Sequence, residues 1–147
     1  MRRILPLLGL ALAACGGGDG ALSAEEFAKR GNAVCKAGDV ELAEKGKSLL
    51  KDAKSATPEQ LTKFFTDEAI PVAKRKLDGI DELVPPEADR EKVQKMLASG
   101  RKATALVEKR LKEEGAGFLT STGPDPFDDF NELAADLGLD DCAGKAN

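Results

Sequence analysis

The sequence predicts an all-α fold, a compact four-helix bundle, on three observations. No alternating apolar–polar stretch of strand length occurs anywhere in the 147 residues. Apolar and small residues instead recur at spacings of three and four in four separate segments. Each of those segments carries a start or stop signal of helix type.

The first segment opens on Ser23-Ala24-Glu25-Glu26, a capping box in which the serine hydroxyl and Glu26 answer each other's backbone donors. Phe27, Gly31, Val34, Cys35, Gly38 and Leu42 then form one apolar or small face. A single helix from Ala24 to about Ala53 is expected. Gly31 and Gly38 each cost about 1 kcal/mol relative to alanine inside it. They either admit a close neighbour or break the helix at Gly38-Asp39.

The second segment starts at Thr57-Pro58-Glu59-Gln60, with threonine at the N-cap and proline in the first turn. Leu61, Phe65, Ala69, Val72 and Ile80 follow one stripe, with Phe64, Leu77 and Val84 beside it. Pro71 lies inside this pattern, lacks an amide proton and crowds the carbonyl four residues back. The helix is therefore expected to be kinked or split at Pro71, near Ile70.

Pro85-Pro86 ends that helix and introduces the clearest pattern in the chain: Val93, Leu97, Gly100, Thr104, Val107 and Leu111. Met96, Ala103 and Leu106 widen it into a core-facing band. Lys92, Lys95, Arg101, Lys102, Lys109 and Arg110 are interleaved with Glu91, Glu108, Glu113 and Glu114, which reads as a solvated, ion-paired face rather than a lipid-binding one. Residues 115–124 read as the one long irregular stretch. Asp125-Pro126 then caps a short fourth helix with Phe127, Phe130, Ala134 and Leu137 inward and Gly138 as its C′ residue.

Ahead of the bundle, Met1-Arg2-Arg3 is a positively charged start, and Ile4–Ala14 is an uncharged run too short to span a bilayer. Leu12-Ala13-Ala14-Cys15 resembles the bacterial lipobox, whose cysteine is diacylated and becomes the first mature residue. The competing readings are an ordinary signal peptide with an incidental cysteine and a buried N-terminal helix. The lipobox reading divides the chain into a signal peptide (1–14), a lipidated Cys15 with a flexible tether (15–22) and a bundle domain (23–147). Two acyl chains give stable anchoring where one is marginal. The glycine-rich stretch from Gly16 to Ser23 reaches roughly 15 Å as a random coil. The expected location is thus the extracytoplasmic face of a cell membrane.

Without residues 1–14 the chain has 20 basic and 26 acidic residues, a net charge of −6, which argues against nucleic acid as a partner. The expected state is a monomer, with an envelope protein as a possible neighbour. The sequence has six Phe and no Tyr, Trp or His. Lacking histidine, it has no imidazole base, no Ser-His-Asp or Cys-His pair and no His-ligated metal. No cofactor and no metal are expected. Asp125, Asp128, Asp129, Asp136, Asp140 and Asp141 invite a calcium reading, but their spacing fails the EF-hand pattern. Export leaves Cys35 and Cys142 in an oxidising setting with only each other as partners, which predicts a disulfide. Two separate buried thiols are the alternative.

Three segments then stand out together: Asn32-Ala33-Val34-Cys35, Leu83-Val84-Pro85-Pro86 and Leu137-Gly138-Leu139-Asp140-Asp141-Cys142. The set resembles small exported helical proteins and lipoproteins of actinobacterial type, which carry N-A-x-C, L-x-P-P and a terminal Y-G-L-x-x-C-G. Leu137 stands where tyrosine is usual, and Ala143 separates Cys142 from Gly144. The resemblance implies the same bundle and bridge, and it lends no settled activity.

Three functions compete. The leading one is a non-catalytic binding or structural module at the cell envelope. The second is a carrier of a small apolar or lipid ligand, with Phe64, Phe65, Phe118, Phe127, Phe130 and Met96 lining the pocket. The third is an enzyme using carboxylates from Asp125–Asp141 or Glu68, beside Pro71.

Overall fold

The structure is a computed structural model that describes residues 20–50, 56–120 and 123–144. The expected signal peptide 1–14, the expected lipidation site Cys15, most of the expected tether and the expected end of the first helix at Ala53 lie outside the described residues. Among those described, four helical rods pack together and no strand occurs.

Helix α1 runs from Ala24 to Leu50 without a break at Gly38. Ser23 Oγ accepts the Glu26 amide at 3.2 Å, which is half of the expected capping box. The Glu26 carboxylate takes the Arg30 side chain at 2.8 Å. Gly31 serves close approach: a Cβ there would lie 2.4 Å from Leu139 Cδ2.

The second rod is divided where Pro71 requires it. Helix α2 (Pro58–Phe64) starts on a complete Thr57–Gln60 capping box. A π-helical turn over Phe65–Ala69 follows, and α3 (Ile70–Asp81) completes the rod. The Ile70 amide donates to the Phe65 carbonyl, five residues back. This widened ladder makes room for a proline ring that could not sit under a regular α turn.

A 3₁₀ turn over Glu87–Asp89 leads from Pro85-Pro86 into α4 (Arg90–Glu114). Val93, Met96, Leu97, Gly100, Ala103, Thr104 and Leu111 are buried, as the stripe predicts. Leu106 is not: it is 44% exposed, so the band is narrower than expected at that edge. The buried Thr104 hydroxyl donates to the Gly100 carbonyl at 2.8 Å and so carries no unmet polar group into the core. At Gly100 a Cβ would meet Leu77 Cδ2 at 2.7 Å and Phe130 Cδ2 at 2.8 Å. Gly100→Ala is therefore expected to destabilise by about 1–3 kcal/mol through overpacking, although helix propensity alone would stabilise by about 1 kcal/mol. Urea denaturation checks the sign.

Residues 115–120, expected to be irregular, form a 3₁₀ helix (Gly115–Thr120). Its Ala116 amide donates to Thr62 Oγ1 on α2 at 2.8 Å. Its Phe118 packs with Ile70 and Leu111 in a small second core. The fourth helix, α5, spans Asp128–Asp136 and starts later than Asp125-Pro126 suggested. Asp125 Oδ1 accepts the Phe127 amide at 2.9 Å, closing a turn before the helix instead of capping it.

The end of α5 follows the sequence expectation. Gly138 has φ 71°, a conformation that favours glycine. Its amide donates to Ala135 O and that of Leu139 to Ala134 O, a Schellman stop. The chain then turns back to Cys142, which forms the disulfide with Cys35 across a sequence separation of 107. Asn32 clamps this return from α1. Its Nδ2 donates to Gly138 O at 2.8 Å, and its Oδ1 accepts the Asp141 amide at 2.9 Å.

Candidate functional site

Helix length explains where a site can form. At 1.5 Å per residue α1 is roughly 40 Å long and α4 nearly as long, whereas α5 covers roughly 14 Å. The fourth corner of the bundle is thus filled along only part of its height. A cleft of about 320 Å³ lies there, lined from α1, α3, α4, α5 and the chain end around Cys142 and Gly144. Leu42, Val72, Ala73 and Leu77 supply apolar wall, with Ala69 brought in by the π-helical turn. Phe127 and Phe130 line it from the α5 side, their rings meeting edge to face at 6.5 Å.

The polar lining is sparse. Asp39 and Lys76 form an ion pair at 2.6 Å, the Lys76 stem lying against Gly38. Asn131 and Thr104 also line the cleft, and Asp125 stands exposed beside Phe127. A neighbouring hollow of about 350 Å³ shares Asp125 and Phe127 with the cleft, and adds Phe65, Phe118, Val107 and Arg110. A larger surface hollow between α2 and Gly115–Gly117 is more open and lined by Glu59, Lys63, Asp67 and Glu114, which suits water better than an apolar group.

The six residues expected to line one pocket are thus divided. Phe127 and Phe130 line the cleft, while Phe65 and Phe118 line the hollow beside it. Met96 is fully buried in the main core, and Phe64 packs edge-on against Phe65 without lining either space. A helical stripe marks the inward side of a residue, and it does not separate the centre of a core from a cleft wall.

The carboxylates expected for catalysis are not brought together. Glu68 pairs with Lys45 at 2.5 Å, and Asp136 lies 3.5 Å from Lys92. Asp128, Asp129, Asp140 and Asp141 are exposed, and only Asp125 of the set lines the cleft. Among the described residues no group of three or more acidic or cysteine side chains is placed to hold a metal ion. Among the described residues the pKa shifts all favour the charged form. A hydrogen bond from Arg75 holds Glu41 below the ordinary carboxylate range, and Lys74 does the same for Glu108. Glu68 raises Lys45, and Asp81 raises Arg101. These are the properties of ion-paired surface groups. The basic row on α4 is of the same kind: Lys95 meets Glu91, Arg101 meets Asp78 and Asp81, and Arg110 meets Glu114.

Asp39, Lys76, Asn131 and Ala73 were not legible as site residues. Their one sequence signal was indirect: a fourth helix much shorter than its neighbours leaves part of their faces uncovered. Comparison with protein-family models, curated proteins and solved structures finds no match to this chain.

Proposed function

We propose that this protein is a lipid-anchored, non-catalytic binding module on the extracytoplasmic face of a bacterial membrane, and that the cleft beside α5 holds a small apolar ligand. The observation that carries the binding reading is the cleft itself: a space of about 320 Å³ with mostly apolar walls, at a size suited to small molecules. Of the two carboxylates on the cleft lining, Asp39 is paired with Lys76, and the chain has no imidazole to work with Asp125, which favours binding over acid–base catalysis.

Two features support the setting. The Cys35–Cys142 bridge suits an oxidising compartment. The Leu22 amide donates to the Val84 carbonyl at 2.9 Å, which holds the tether to the end of the bundle where α1 begins. From Ala24 to Asp39 the rise along α1 is roughly 22 Å, so the cleft lies that far along the bundle from the end at which the proposed anchor attaches.

The anchor is tested by Cys15→Ser, which should lose the acyl mass and leave the membrane fraction; unchanged membrane attachment contradicts it. The cleft is tested with an apolar fluorescent probe, N-phenyl-1-naphthylamine. Ala73→Phe, which projects a ring into the cleft, should lower the affinity at least ten-fold while the melting curve stays cooperative. Equal binding by both proteins would place the apolar site elsewhere.

A further inference from the structure

We infer that the cleft selects a cationic amphiphile, a molecule with an apolar body and a single alkylammonium head; this rests on the apolar-ligand reading above. The argument is one of charge complementarity. Three charged side chains line the cleft: Asp39, Lys76 and Asp125. The first two neutralise each other at 2.6 Å. Asp125 has no cationic partner among the described residues, so the described lining carries one uncompensated negative charge.

That charge sits beside aromatic surface. Asp125 Oδ1 accepts the Phe127 amide, which holds the carboxylate in the turn that carries Phe127, and both residues line the cleft. Phe127 meets Phe130 edge to face, so aromatic surface and a carboxylate line the same side of the cleft. An ammonium gains from both, from the ring quadrupole and from the carboxylate. A neutral head lacks the Coulomb attraction, and an anionic head is repelled by Asp125, which has no ion-pair partner among the described residues.

Arg110, the described cation of the adjoining hollow, does not reverse this sign. It is held by two hydrogen bonds to Glu114, at 2.9 and 3.1 Å. Its guanidinium already lies 4.8 Å from the Phe118 ring centroid. The negative net charge of the chain adds a long-range bias toward cations.

The test uses the full-length Cys15→Ser chain and three probes sharing a ten-carbon tail: decyltrimethylammonium, decyl maltoside and decanoate, each below its micelle concentration. Calorimetric titration should rank the cation about five-fold tighter than the neutral probe, and decanoate weaker still. Asp125→Asn keeps the Oδ1 acceptor and hence the turn. It should abolish the gap between the cationic and neutral probes while the neutral affinity stays within about two-fold. Equal affinities, a preference for decanoate, or a cation preference that survives Asp125→Asn would each overturn the inference and leave the apolar cleft standing. If none of the three probes binds, the apolar-ligand reading falls, and this inference with it.

Discussion

Replacing Cys35 and Cys142 together by alanine is expected to destabilise the domain by about 4–5 kcal/mol, the chain-entropy value for a loop of this length. The two cysteines are 107 residues apart, and the bridge joins α1 to the last described turn. Without it, residues 138–144 are held by the two Asn32 hydrogen bonds and by the burial of Leu139 and Ala143. For a domain of this size the change corresponds to a melting temperature lower by roughly 15–20 °C. Thermal melts of the wild-type protein with and without reductant should differ by the same amount. Superimposable melts would mean that the bridge does not form.

The second large effect belongs to Leu139. Its side chain is fully buried and fills the notch left by Gly31. Leu139→Ala is expected to cost about 3–4 kcal/mol, as large-to-small changes in a closed core do. The informative experiment couples it to Gly31→Ala. Alone, Gly31→Ala forces a Cβ to 2.4 Å from Leu139 Cδ2 and should destabilise by about 1–3 kcal/mol. In the Leu139→Ala background the same Cβ enters vacated space, so its helix-forming advantage should emerge. The double variant should then be more stable than the sum of the single changes implies, by at least about 1 kcal/mol. Strict additivity in urea denaturation would contradict the packing of Leu139 on Gly31.

The helical stripes were legible because each is local. Phe27, Gly31 and Cys35 share a face by spacing alone, and they are buried together. Pro71 announced a break because its missing amide is a property of the residue, and the π-helical turn is how the backbone answers it. Gly138 could be placed because a helix stop there calls for a left-handed residue.

The misreadings share a cause, which is competition between a local signal and a distant partner. The 3₁₀ helix at Gly115–Thr120 depends on Thr62, 54 residues away, accepting the Ala116 amide. Asp125 has the chemistry of a cap and of a turn alike, and the structure uses it for the turn. Asn32 was recognisable as part of a motif, but its clamp on Gly138 and Asp141 required both ends of the chain to be in view. The cleft was the least legible feature. It is defined by where α5 is not, and Met96 and Phe130 look alike on a stripe although one lies in the core and the other also lines the cleft.

Native mass spectrometry of the mature, acylated protein, released intact from bacterial envelopes, tests the binding reading most directly. The expected spectrum shows the polypeptide carrying one small apolar ligand, removed by collisional activation and missing from the Ala73→Phe variant. The mass of the acylated polypeptide alone for the wild-type protein, with its Cys35–Cys142 bridge intact, would contradict a ligand-holding cleft.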